Sequence, residues 1–161
     1  MMLSQAEQET LIAPCGMNCA LCWAYQAQLY DLKRHGIRRM YCPGCVPRGE
    51  HCRHMRDACR TVGEGRVRFC YECADFPCDR LKRLDKRYRT KYHMSMIENL
   101  LRIRDRGMAA FLEEQRARWT CGKCGDHAVC CHNGLCMHCD LDVLLQNRRF
   151  RWGEYGKDSE A

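Results

Sequence analysis

Cysteine thiolates are the side chains of this sequence best suited to chemistry. The chain of 161 residues contains 16 cysteines, a proportion typical of a cysteine-stabilised scaffold. A C-x-x-C turn directs two thiolates to one point, as a metal ion requires, whereas structural disulfides usually join distant segments. Five such pairs occur: Cys19/Cys22, Cys42/Cys45, Cys70/Cys73, Cys121/Cys124 and Cys136/Cys139. Because no secretory signal is visible either, we expect metal-bound thiolates in a cytoplasmic protein rather than a disulfide framework.

The cysteines near the C-terminus have zinc-ribbon spacing, since two C-x-x-C pairs are separated by eleven residues. Between the pairs, Asn133-Gly134 is a strong signal for a hairpin turn. A hairpin would join the two cysteine turns into a tetrahedral four-sulfur site. We therefore predict a zinc-ribbon β-hairpin over residues 120–140. Its expected ligands are Cys121, Cys124, Cys136 and Cys139.

Two further cysteines, Cys130 and Cys131, lie between these pairs. Adjacent residues of a strand face opposite sides, so both cannot join one site. We expect one to be buried as a small hydrophobic residue and the other to be exposed. Since four sulfurs already complete the site, we interpret His132 and His138 as packed or solvated.

The stretch CGMNCALC places Cys15, Cys19 and Cys22 in the spacing C-x3-C-x2-C. This spacing resembles the cluster motif of radical S-adenosylmethionine enzymes. That chemistry needs a partial β/α barrel, and the cysteine-poor part of the chain is too short and too poor in Val and Ile to build one. An iron–sulfur cluster without a barrel remains an alternative, because three clustered cysteines and one remote cysteine can hold [4Fe–4S].

The other cysteines in the first half of the chain can be grouped in two ways. These candidate ligands are Cys42, Cys45, Cys52, Cys59, Cys70, Cys73 and Cys78. Two triplets, at 42–52 and 70–78, would form a binuclear six-thiolate zinc site. Alternatively, the C-x-x-C pairs at 42–45 and 70–73 form one four-thiolate site. Tetrahedral sulfur suits zinc and iron–sulfur centres alike, and we favour two to four zinc ions, with one [4Fe–4S] cluster plus zinc as the alternative.

The order and spacing of these motifs resemble a known family. The sequence reads IAPCGMNCALCWAYQ, then YCPGC, then FCYECADFPCDRL, which is similar to the family called domain of unknown function 3795. The match covers roughly residues 12–84, and the helices and cysteines downstream are similar to longer members. The resemblance implies metal binding and no assigned activity, so it supplies no catalytic residues.

Helices must position most of these cysteines. Val and Ile together number nine, so little of the chain favours strands. Apolar residues recur at helical spacing after Cys22, up to a stop at Gly36, and again through the middle of the chain, where Gly107 is expected to divide the helices. We interpret these stripes as core: Leu21, Tyr25, Leu29, Leu32, Leu81, Leu84, Tyr88, Tyr92, Ile97, Leu100, Leu101, Met108, Phe111 and Leu112.

The predicted fold class is small, metal-stabilised and mainly α. Residues 1–78 form a cysteine-rich metal-binding domain, 79–119 a helical segment packed on it, 120–140 the zinc ribbon and 141–161 a polar tail. The thin apolar core would gain stability from bound metal. No apolar run approaches the length needed to span a bilayer.

Closed four-thiolate sites and the lack of a catalytic motif argue for a binding protein rather than an enzyme. The formal charge is +7, but a four-thiolate zinc site carries −2, so three such sites would leave a charge near +1. We interpret the seven basic residues of 80–91 as a solvated helix face, with nucleic-acid binding as an alternative. No catalytic motif is visible. The favoured function is a non-enzymatic interaction or regulatory module with an unknown protein partner.

Two other functions remain open. The first is redox or electron transfer by an iron–sulfur cluster at the C-x3-C-x2-C motif. The second is thiol chemistry at Cys59, Cys130 or Cys131, which would require reactive thiols in the metal-loaded protein.

Overall fold

The computed structural model describes residues 3–49, 59–150 and 152, and this part of the chain is mainly helical. The prediction of a mainly α protein is therefore confirmed. The α-helices of the described residues are α1 (Gln5–Thr10), α2 (Trp23–Leu29), α3 (Arg60–Gly63), α4 (Asp79–Tyr92), α5 (Met96–Arg106), α6 (Met108–Trp119) and α7 (Leu141–Gln146). Short 3-10 turns lie at Cys19–Leu21, Leu32–His35 and Cys70–Glu72. None of the helices in these ranges is long and apolar enough to cross a bilayer.

Helices α4, α5 and α6 follow one another through tight connections. The carboxylate of Asp85 on α4 is 2% exposed and accepts hydrogen bonds from the Ser95 hydroxyl at 2.6 Å and the Ile97 N–H at 3.0 Å. The Ser95 hydroxyl also accepts from the Glu98 N–H at 3.1 Å and so caps α5. Gly107 separates α5 from α6, as the sequence predicted.

A first core forms where these helices cover the N-terminal cysteine loops. Leu81, Leu100, Phe111 and Leu112 are buried there, as interpreted. Other members of the central apolar stripe are only partly buried against them: Leu84, Tyr88, Ile97 and Met108. The same core contains apolar side chains and thiols from both halves of the chain: Leu11, Ile12, Met17, Leu21, Cys15, Cys19, Cys45, Cys70, Trp119 and Cys131.

A second, smaller core joins α2 to the C-terminal cysteine segment and α7. Its buried members are Ala27, Leu32, Ile37, Cys130, Leu135, Met137 and Leu144. Sequence analysis did not predict α7, because its six residues fall in the segment assigned as a polar tail. Leu29 was expected on the buried side of α2 but is 62% exposed, because it lies at the last turn of that helix.

The zinc-ribbon β-hairpin is the part of the predicted fold that the structure does not support. Among the described residues there are only isolated bridges, two of them in this region, Thr120 with Ala128 and Val129 with Cys136. The turn itself is present, since the Gly134 N–H donates to the Cys130 carbonyl at 2.8 Å.

No ladder follows this turn because consecutive backbone groups bind different partners. The Val129 N–H donates to the Trp119 carbonyl at 2.8 Å. The Cys130 N–H donates to the Leu135 carbonyl at 2.9 Å, and the Cys131 N–H donates to the Leu21 carbonyl at 2.9 Å. A β-ladder requires one continuous partner strand. The docking of this segment on the N-terminal half therefore replaces strand pairing.

Candidate metal centre

Four cysteine sulfurs meet near the C-terminus, those of Cys121, Cys124, Cys136 and Cys139. All four lie within 4.8 Å of one another, and the sulfurs of Cys121 and Cys139 are 4.0 Å apart. A tetrahedral zinc ion with Zn–S bonds of about 2.3 Å separates its sulfur ligands by about 3.8 Å. This group therefore has the dimensions of a site for a single ion. In the described part of the chain, no other three metal-ligating side chains lie this close together.

Each C-x-x-C pair is folded by its own backbone. In the first turn, the Cys121 carbonyl accepts from the Gly125 N–H at 2.8 Å and its sulfur accepts from the Lys123 N–H at 3.4 Å. In the second, the Cys136 carbonyl accepts from the N–H groups of Cys139 at 3.1 Å and Asp140 at 2.7 Å. The first turn needs a residue with positive φ, and Gly125 supplies it at +74°.

An ion pair supports the site from the side of the second turn. The buried carboxylate of Asp140 accepts from the Cys136 N–H at 2.9 Å and from the Lys123 ammonium. Burial raises the pKa of Asp140, but these two hydrogen bonds outweigh burial and hold that pKa below its usual value. The Lys123 pKa is raised by Asp140 and further by the thiolates of Cys139 and Cys121. The Lys123 ammonium therefore lies beside the sulfurs, where it would offset the negative charge of four thiolates with a bound divalent metal ion.

The thiols of the group differ in acidity. The backbone N–H groups of Asp126 and His127 donate to the Cys124 sulfur and lower its pKa to about 7. Burial and the neighbouring thiols raise the pKa of Cys139 to about 12, and burial raises that of Cys136. Four adjacent thiolates repel one another, so a cation is needed before all four ionise together.

The rings of Tyr30, His127 and His138 contact one another close to the four-sulfur group. The Tyr30 hydroxyl lies 2.9 Å from Nδ1 of His127, and the His127 ring stacks on His138 with centroids 4.4 Å apart. Burial, with the nearby thiols of the four-cysteine group, raises the pKa of Tyr30 to about 12. Sequence analysis missed Tyr30 and Asp140. Asp140 follows Cys139 directly and could have been suspected, whereas nothing local in the sequence links Tyr30 to this site.

Cys130 and Cys131 are both fully buried, so the expectation that one is exposed was wrong. They face different cores, Cys130 the second and Cys131 the first. Burial raises the pKa of Cys130 to about 12 and holds that of Cys131 well above its usual value, which suppresses the reactive thiolate. His132 is packed, as interpreted: its Nδ1 lies 3.3 Å from the Trp23 N–H and its Nε2 lies 3.1 Å from the Tyr88 hydroxyl.

The first cysteine motif is held in a tight loop against α5. Gly16 has a φ of +86°, and a Cβ there would lie 2.7 Å from the Met96 carbonyl oxygen. The Asn99 side chain donates to the Gly16 carbonyl at 2.9 Å. The Asn18 side chain accepts from the Ala20 N–H at 3.1 Å and caps the turn at Cys19–Leu21. The glycine and asparagine of CGMN are therefore structural.

Within this loop the cysteines have different neighbours. The Cys19 sulfur accepts from the Cys45 N–H at 3.5 Å. Cys22 acts electrostatically on Cys130 and Cys131. The structure does not bring the sulfurs of the C-x3-C-x2-C motif within 4.8 Å of one another.

The other predicted ligands differ in solvent exposure. Cys45 and Cys70 are buried, and Cys42, Cys59, Cys73 and Cys78 are half-buried. Cys52 lies outside the described residues, so the six-thiolate grouping that includes it stays a prediction.

The fold and the four-sulfur group define a mainly helical, cysteine-rich protein able to hold a metal ion. Residues 11–83 match the family described as "Protein of unknown function (DUF3795)". The resemblance seen in the sequence is thus confirmed for that segment of the chain. No curated protein and no solved structure matches the chain. The four-cysteine group lies outside the matched segment.

Proposed function

We propose that this protein is a zinc-binding interaction module in which the C-terminal ion has a structural role. The observation that carries the proposal is the set of four sulfurs within 4.8 Å. Four thiolates complete a tetrahedral coordination shell and leave no position for water or substrate. Closed sulfur sites of this kind usually hold zinc and stabilise a fold. A catalytic role for the ion is therefore not proposed.

The surroundings of the site support a structural role. Zinc with four thiolates carries −2, and the Lys123 ammonium lies beside these sulfurs, bound to Asp140. The residues between the two cysteine turns supply Cys130 and Leu135 to the second core, which also contains Ala27 of α2. An ion that fixes both turns would fix this packing as well. We propose a protein partner and a cytoplasmic location on the basis of the sequence.

Metal analysis of the purified protein tests this proposal. We expect one zinc ion per chain to be lost when Cys121→Ser removes a ligand. Cys130→Ala is the matched control, because it removes a buried thiol that lies outside the four-sulfur group. A Cys121→Ser protein with the full zinc content of the wild type would refute the proposal.

Nucleic-acid binding is a second candidate function, and the basic face of α4 favours it. Six basic side chains of this helix are exposed: Lys82, Arg83, Lys86, Arg87, Arg89 and Lys91. Phosphate contacts would make affinity fall steeply with salt. Fluorescence anisotropy with labelled RNA and duplex DNA at low and high salt, using Lys86→Glu/Arg87→Glu as the variant, tests this function. Absence of binding at low salt would remove it.

A further inference from the structure

We propose that the exposed loop after α2 binds the surface of an anionic lipid bilayer. This surface, which we call the basic loop, consists of residues 29–41 together with Arg148 and Arg149. Such binding needs no membrane-spanning segment, because cations and a few apolar side chains hold a protein reversibly at the level of the lipid headgroups. The inference rests neither on the C-terminal metal ion nor on the basic face of α4.

The two ends of the basic loop are joined to each other. The Tyr41 hydroxyl donates to the Asp31 carboxylate at 2.6 Å and accepts from the Lys33 N–H at 3.0 Å. The Lys33 ammonium also lies 4.2 Å from the centre of the Tyr41 ring. Met40, which directly precedes Tyr41, is therefore brought back to the start of the loop, where α2 ends at Leu29.

The middle of the basic loop is anchored in the second core. Leu32 and Ile37 are buried there, and the Ile37 N–H donates to the Leu32 carbonyl at 3.1 Å. The other residues of 33–40 are exposed. The Arg148 guanidinium donates to the Gly36 carbonyl at 2.9 Å, which brings the basic residues after α7 to the same surface.

The basic loop carries a large excess of positive charge. Its only carboxylate is that of Asp31, which pairs with Arg34 at 3.3 Å while both side chains stay largely exposed. An anionic surface is the complementary partner, since each cation near lipid headgroups gains roughly fivefold in affinity. The exposed cations are Lys33, Arg34, Arg38, Arg39, Arg148 and Arg149.

Two apolar side chains accompany these charges. Met40 is 70% exposed and Leu29 is 62% exposed, the highest values for large apolar side chains among the described residues. Apolar side chains surrounded by cations enter the headgroup region of a bilayer while the cations contact the lipid phosphates. On α4, by contrast, the basic face has no large apolar side chain with this degree of exposure.

The chemistry of the basic loop favours a bilayer over a nucleic acid. Proteins bind single strands by stacking aromatic side chains on bases, and they bind duplexes with an element that fits a groove. The exposed apolar side chains of this loop are not aromatic. Its two tyrosines, Tyr30 and Tyr41, are half-buried and hydrogen-bonded within the fold. A lipid surface requires neither stacking nor a groove-fitting element.

Co-sedimentation of the full chain with vesicles tests the inference. Vesicles of phosphatidylcholine alone are compared with vesicles of equal parts phosphatidylcholine and phosphatidylserine. We expect binding to the anionic vesicles only, and release when salt rises from about 0.1 M to about 1 M, because the screening length falls from about 10 Å to about 3 Å. Failure to sediment with anionic vesicles at the lower salt concentration would overturn the inference.

A pair of charge reversals locates the binding surface. Arg38→Glu/Arg39→Glu should weaken binding to the anionic vesicles at least about 20-fold, since two cations leave the surface. Lys86→Glu/Arg87→Glu, on the exposed face of α4, is the matched control and should bind close to the wild type. Equal losses in the two variants would contradict the inference, because binding would then follow net charge alone.

A second pair of substitutions tests the insertion of apolar side chains. Leu29→Ser/Met40→Ser leaves every charge in place and should weaken binding roughly tenfold. Leu3→Ser is the control, because Leu3 is also exposed, at 37%, but precedes α1. An affinity of Leu29→Ser/Met40→Ser equal to that of the wild type would rule out insertion by this loop.

A nucleic acid is the competing partner. Binding of labelled RNA that is lost in Arg38→Glu/Arg39→Glu, in a protein that does not bind the vesicles, would assign the basic loop to nucleic acid and overturn the inference. Circular dichroism confirms that each variant is folded. Zinc content should stay at the wild-type level in all of them, so failure of this inference leaves the zinc proposal unaffected.

Discussion

At the scale of single residues, the environment of each thiol decides its chemistry. Cys124 receives two backbone N–H groups, whereas Cys139, in the same group, is opposed by burial and by its neighbours. Cys130 has no exposed surface at all. Cys124 is therefore easily ionised, Cys139 needs a nearby cation to ionise, and Cys130 is a residue of the core.

We predict that Cys124 is the first of the four clustered thiols to be alkylated in metal-free protein. Its pKa of about 7 means that the labelling rate should rise as pH increases through neutrality. Cys139 should react only at higher pH, and bound zinc should protect both. Peptide mass mapping after brief iodoacetamide treatment measures this, and faster labelling of Cys139 would contradict it.

We predict that Asp140→Ala weakens zinc binding roughly 10–100-fold, because the residue orients a ligand turn without contacting the ion. Asp142→Ala is the matched control, since Asp142 is exposed on α7. Competition with a chromogenic chelator gives both affinities. Equal zinc affinities for the two variants would contradict this role of Asp140.

The pKa of Asp140 is lowered in the folded protein. The contribution of this carboxylate to stability is therefore present above the usual aspartate pKa and is lost as pH falls through the folded-state pKa.

At the scale of elements, polar groups attach helices to the cysteine loops. Asn99 holds the Gly16 carbonyl against α5. Asp85 joins α4 to the start of α5, and Arg89 completes its hydrogen bonding at 2.6 Å. Because Asn99 and Asp85 are buried, each is costly to leave without its partner.

We predict that Gly16→Ala destabilises the fold more than Gly65→Ala does. Both glycines have positive φ, at +86° and +67°, which costs an alanine roughly 1–2 kcal/mol. At Gly16 the new Cβ would also lie 2.9 Å from Cγ of Leu100, whereas nothing lies within 4 Å at Gly65. Urea unfolding of both variants measures the difference. Equal losses of unfolding free energy in the two variants would show that the close packing of α5 against Gly16 does not contribute.

We predict that Asp85→Ala lowers the free energy of unfolding by about 3 kcal/mol, because it leaves the donors of Ser95 and Ile97 without their acceptor. Asp79→Ala is the control, with a side chain that is 87% exposed and 3.8 Å from Lys82. Its loss should be below about 1 kcal/mol. Thermal and urea unfolding compare the two, and an Asp85→Ala protein as stable as the control would exclude this carboxylate as a structural link.

At the scale of the whole molecule, the two cores connect the family segment to the residues that follow it. Cys131 reaches the first core, and Leu135 and Leu144 reach the second beside Ala27 and Leu32. The C-terminal cysteine segment is therefore packed into the fold and is not a separate appendage. We therefore expect metal binding at the four-sulfur group to affect the stability of both cores as well as the cysteine loops.

We predict that removing zinc with a strong chelator lowers the melting temperature of the wild-type protein and weakens the packing around Trp23, which borders the second core. Circular dichroism and tryptophan fluorescence follow the change. Cys121→Ser should start at a lower melting temperature than the wild type and should respond less to the chelator. An unchanged wild-type melting curve would show that the second core is stable without the ion.

Local patterns in the sequence determined the helical character, the helices on either side of Gly107 and the four C-terminal cysteines that meet. Helical periodicity and C-x-x-C turns act over a few residues, so they can be read directly. Only the tertiary structure decided that the Cys131 N–H donates to the Leu21 carbonyl in place of a β-ladder, that the Cys70 N–H donates to the Pro14 carbonyl, and that Tyr30 and Asp140 lie close to the four-sulfur group. These contacts join distant segments, and their geometry follows from how the helices pack, which the spacing of residues in the sequence does not encode.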